Sequence, residues 1–160
     1  MIRNLALAAA LLAPVSVAAQ DLPTAPYLPL DMAAAAARAA VDACFAEGHN
    51  VSVAIVARSG VTSVVLRADN AGPHTVGSSI GKAFTSASMG RDNAGLAGFI
   101  GENPANDGLR DMDDRLVIQA GGLPIRIGGA LVGGIGVGGA PSGDIDASCA
   151  RVGLDAIGAE

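Results

Sequence analysis

Residues 121–146 read GGLPIRIGGALVGGIGVGGAPSGDID, with short aliphatic and β-branched runs separated by paired glycines. This rhythm predicts a hairpin with strands at 124–127 and 131–137, turned by Gly128-Gly129 at positive φ. Glycines inside the second run leave one sheet face nearly bare, so a helix, another backbone or a flat ligand can approach closely. Two earlier runs, VSVAIVAR (51–58) and VTSVVLRA (61–68), predict strands joined around Ser59-Gly60. Few charges interrupt them, which places both centrally in the sheet, covered on both faces. A further strand is predicted at 115–120 (RLVIQA), leading into the glycine hairpin.

Helical patterning occupies three other stretches. Residues 32–47 are dense in alanine, with Asp31 as the expected N-cap and Gly48 at C′. Residues 76–89 form a second helix of small residues, and 142–157 a third with acids in its first turn, as the helix dipole prefers. Residues 90–111 are rich in Gly, Asn and Asp and read as a loop or short helices. Hairpin connections imply an antiparallel sheet, and helices at both ends and the middle cover its two faces. The result is an α+β, three-layer domain.

The first residues stand apart. A short basic start, an apolar run at 5–17 and the small residues Val17-Ala18-Ala19 read as a secretory signal peptide cut after Ala19, so residues 1–19 are expected to be removed. Residues 20–30, with Pro23, Pro26 and Pro29, form an extended arm, and 31–160 a single domain. A periplasmic or secreted location follows. Losing Arg3 takes the formal charge from −5 to −6. An acidic chain without Trp and with few other aromatics offers neither phosphate neutralisation nor a stacking platform, which excludes nucleic acid as a partner. Cys44 and Cys149 can pair in an oxidising compartment or remain as small buried thiols; the sequence leaves both open.

Candidate chemistry is sparse. Gly134, Gly136 and Gly139 formally spell GxGxxG, but no helix followed by an acid-bearing strand fits in the residues that remain. There is no GxSxG elbow, and the cluster Asp107, Asp111, Asp113 and Asp114 lacks calcium-loop spacing. His49 follows a helix terminator and reads as a surface residue. His74, in the rigid GPHT turn before a helix, suits a metal or haem ligand, or simply a solvent-facing turn. Lys82 lies two helical turns beyond it on the same face, where it can meet a ligand carboxylate or pair with an aspartate. Arg126 is a second candidate for a carboxylate.

Several stretches in combination resemble the GlcG/HbpS family of haem-binding proteins. They are the alanine-rich helix before VSVAIV, RADNAGPHT ahead of KAFTSAS, GGLPIRIGGALVGGIGVGG, and the closing DASCARVGLDAI helix. The resemblance implies a profilin-like α/β/α fold with a five-stranded antiparallel sheet in the order 2-1-5-4-3, and assembly into homo-oligomers. It implies haem as cofactor, with His74 as the metal ligand and Lys82 and Thr85 as further contacts; Thr75 beside His74 and Arg126 in LPIRIGG complete the candidate site. Gly138, where the family usually has serine, and the sparse Ser79-Ile80-Gly81 at the helix start reduce the polar grip on an anion.

The expected function is therefore a secreted or periplasmic haem-binding protein, in haem or iron handling or redox sensing, without catalytic turnover of its own. An alternative is a binding module or enzyme for a small carboxylate or corrinoid, anchored by Lys82 and Arg126. A third reading is a subunit that assembles against a membrane sensor.

Overall fold

A computed structural model describes residues 21–160; the expected signal peptide lies outside the described residues. Residues 21–29 carry no helix or strand, and α1 (Leu30–Ala46) follows directly. Its N-cap is Pro29 rather than Asp31, which sits inside the first turn where a carboxylate still favours the helix dipole. Gly48 terminates it at φ 83°.

Strands β1 (Ser52–Ala57), β2 (Thr62–Arg67), β3 (Gly122–Ile127) and β4 (Ala130–Gly138) form one antiparallel sheet in the order β2-β1-β4-β3. Among the described residues the sheet has four strands, not five. Residues 115–120 are irregular because side chains take up their backbone groups. Thr85 Oγ1 accepts from the Val117 N–H at 2.8 Å, and Asn93 Nδ2 donates to the Val117 carbonyl at 3.2 Å. With that run removed, the remaining strands keep the order the resemblance implies. The central placement of both early strands holds for β1 alone. β2 is an edge strand whose Thr62, Ser63, Val65 and Arg67 are exposed and whose Val64 and Leu66 are only half-buried.

Alternation along β1 divides the core. Val53 and Ile55 face α1 and α4 (Gly143–Asp155), whereas Ala54 and Val56 face α2 (His74–Met89). The glycines of β4 explain how α2 comes so close. A Cβ at Gly136 would lie 2.2 Å from the Ser79 carbonyl oxygen, and one at Gly134 would lie 2.4 Å from that of Ala83. The bare sheet face therefore takes a helix backbone in direct contact. On the opposite face a Cys44–Cys149 disulfide, with Cα atoms 5.5 Å apart, ties α1 to α4. Between α2 and β3 run α3 (Asn93–Glu102), capped by Asp92, and a 3-10 segment over Pro104–Asp111.

Candidate functional site

Where β4 ends and α2 and α4 both begin, the surface opens into a cavity of about 520 Å³. Its walls come from the first turns of α2, residues 118–120, residues 139–143 and Ala97 of α3, with Lys82 and Asp146 at its base. Both flanking helices present their N-terminal, electropositive ends.

His74 is the first residue of α2 and is exposed at the cavity. Its imidazole folds back over Gly72, where a Cβ would come within 2.7 Å of His74 Cε1. Only glycine leaves the ring room to adopt that position. Thr75 beside it is buried; its hydroxyl donates to the Gly72 carbonyl at 2.7 Å and meets Ser52 Oγ at 2.7 Å. The residue after the imidazole is thus tied to both the turn and β1, which fixes the start of the helix.

Lys82 and Asp146 are 4% and 2% exposed, and their Nζ and Oδ2 atoms lie 2.8 Å apart. The other carboxylate oxygen, Oδ1, accepts from the Ala140 N–H at 3.1 Å. Gly121, at φ 106°, clears the space: a Cβ there would lie 3.0 Å from Lys82 Nζ and 2.7 Å from Asp146 Cβ. Burial pushes the Asp146 carboxyl above its ordinary value, and the Lys82 ammonium, the Ala140 N–H and, more weakly, His49 act against that rise.

His74, Thr75 and Lys82 therefore converge on one cavity. Thr85 and Arg126 do not line it. Thr85 is fully buried, donating to the Gly81 carbonyl at 2.8 Å and holding residue 117. Arg126 lies at the hairpin end of β3, where Nη2 donates to the Gly90 carbonyl at 3.0 Å. Sequence reasoning did not single out Asp146, which reads only as one acid in the first turn of a helix. Nor did it find Asn93, fully buried with its Nδ2 bridging the Lys82 and Val117 carbonyls. No signal in the chain announces either pairing, because the partners are 64 residues apart in one case and 11 and 24 in the other.

Among the described residues no group of three His, Cys, Asp or Glu side chains could hold a bare metal ion. Haem iron takes four of its donors from the macrocycle and asks the protein for as few as one, which a single imidazole can supply. One accessible imidazole stands over a cavity whose Ala97, Ile118, Ala120, Ala140 and Pro141 offer apolar contact to a flat ring.

Residues 28–155 match the family model described as haem degrading protein HbpS-like. A double mutant of Streptomyces reticuli HbpS is 43% identical, with coverage of 89% of this chain and 95% of that one and a TM-score of 0.80. PduOC, solved as a haem complex, is 26% identical over 84% of this chain and 98% of its own, with a TM-score of 0.78. Klebsiella pneumoniae ORFY, at 23% identity, coverage of 89% and 98% and a TM-score of 0.80, shares the fold. No curated protein matches. With the model spanning nearly all the described residues and the fold reproduced in these structures, the chain belongs to the HbpS-like family.

Proposed function

We propose that this protein binds haem in the cavity between the starts of α2 and α4, with His74 as the iron ligand. The observation that carries the reading is the exposed His74 imidazole, given room by Gly72, beside a cavity whose mixed lining includes Ile118, Ala120, Ala140 and Pro141. The haem complex of PduOC, a relative at 26% identity, supports it. The bound group would supply iron redox and oxygen chemistry. The chain's own residues would orient it and shield one face from water. Thr75 would act by fixing the helix start that carries His74. Lys82 is already matched to Asp146, so propionates would meet the electropositive ends of α2 and α4 and the Ser78 hydroxyl instead of a free ammonium.

Titration with haemin, followed at the Soret band, tests this. The wild type should give a saturable, red-shifted band that His74→Ala loses, with affinity falling about tenfold or more for loss of an iron ligand. An identical, non-saturating response in both proteins sinks the reading and points to a small carboxylate or corrinoid. Bleaching of the bound Soret band under air with a reductant would add turnover to binding, as the family description suggests.

A secreted or periplasmic address belongs to the same proposal, supported by the apolar start of the chain and by the Cys44–Cys149 disulfide, which suits an oxidising compartment. Recovery of the processed chain in the cytoplasm would refute it. A role beside a membrane sensor in redox sensing rests on the family resemblance and fails if no sensor co-purifies with cross-linked protein.

A further inference from the structure

Gly72 is defined by what a side chain there would meet. The three atoms nearest its Cβ position all belong to the His74 ring, with Cε1 at 2.7 Å, Nδ1 at 3.0 Å and Nε2 at 3.7 Å. The imidazole thus lays its nitrogen-bearing edge over the glycine, and in that pose it lines the cavity. The backbone gives no other reason for glycine at this position. Gly72 lies outside the left-handed φ region. Preceding Pro73, it is restricted to extended conformations that alanine also adopts.

The neighbours decide which group would yield to a methyl. The Gly72 carbonyl accepts from the Thr75 N–H at 3.0 Å and from the Thr75 hydroxyl at 2.7 Å. That hydroxyl also meets Ser52 Oγ of β1 at 2.7 Å, so the turn is pinned to both the helix start and the sheet. His74 is exposed and can turn to another staggered rotamer. A Cβ at residue 72 therefore displaces the ring and leaves the turn where it is.

We propose that Gly72 is the positioning residue for His74: it keeps open the one ring pose that lines the cavity, and a methyl group there closes that pose without unfolding the turn. Gly72 touches no ligand itself and acts only through the imidazole. A ring already able to rest at the cavity wall pays less ordering cost when it takes up a ligand. The ligation arm of the proposal rests on the haem reading; the pose does not.

The test begins in the ligand-free protein, where a nuclear Overhauser contact between a Gly72 Hα and His74 Hε1 reports the pose. The wild type should show it, and its absence overturns the proposal. Gly72→Ala should keep the wild-type melting temperature while Hε1 loses its contact with residue 72; unfolding of this variant overturns the proposal too, because the turn and not the ring would then have yielded. Haemin affinity should fall about tenfold in Gly72→Ala, as for loss of a group that orients a metal ligand. It should stay at the wild-type value in Gly77→Ala, whose added Cβ on the same helix meets nothing within 4 Å. In a His74→Ala background, Gly72→Ala should cost nothing further. Additive losses, or wild-type haemin affinity in Gly72→Ala, overturn the positioning role. If the wild type binds no haemin, the haem reading falls and takes the ligation arm with it, while the Overhauser contact still decides the pose.

Discussion

At the scale of single residues, Lys82 and Asp146 show how burial changes the meaning of a charge. A lysine two turns after His74 looks available to a ligand, yet its ammonium is buried against a carboxylate 2.8 Å away. Such a pair adds little net stability, because desolvating two ions offsets their attraction. Removing one partner is a different matter. Lys82→Met would leave Asp146 buried without its counter-ion, and should cost about 3–5 kcal/mol, read as a lower denaturant midpoint. A double change, Lys82→Met with Asp146→Leu, should recover much of that loss. His74 contrasts with both: it was legible from the GPHT turn, since a Pro-restricted turn at a helix start exposes its side chain by local geometry alone.

Among the elements, β4 and α2 make the closest contact. Its cause is visible in the chain as glycines spaced by two, which share one face of a strand. Gly136→Ala would drive a methyl against the Ser79 carbonyl and the Ala83 N–H at 2.2 and 2.4 Å, both of them backbone. It should destabilise the domain by about 2–3 kcal/mol or more, measured by thermal or chemical unfolding, because neither neighbour can rotate away. Residues 115–120 teach the reverse lesson. Their β-branched pattern predicts a strand, but Thr85 and Asn93 satisfy the backbone groups that a neighbouring strand would have used. Strand formation is a competition for hydrogen-bond partners, and the competitors are remote in sequence.

For the molecule as a whole, the disulfide closes a loop across a sequence separation of 105 and joins the first helix to the last. A link of that span restricts the unfolded chain strongly. Reduction, or Cys149→Ser, should lower stability by about 2–5 kcal/mol, seen as a drop in melting temperature on adding dithiothreitol to the wild type only. Assembly also belongs to this scale. Edge strand β2 leaves Val61 beside it and Val65 on it exposed, at 64% and 37%. An open strand edge is a surface that proteins normally cover. A homo-oligomer is the expected solution state, and a monomer mass by light scattering would refute it.

The sequence by itself determined whatever local chemistry dictates. The position of α1 follows from alanine density, the β3–β4 turn from Gly128-Gly129, the close-packing face of β4 from its glycine spacing, and the exposed His74 from its turn. It also carried, through the resemblance of its motifs, the family and the order of the four strands that form. The tertiary structure alone decided which charges meet, which thiols pair and which strand lies at an edge. It also placed Thr85 and Arg126 away from the cavity and Asp146 in its lining. Each of these depends on distances between residues far apart in the chain, and burial then sets the strength of the interactions they make.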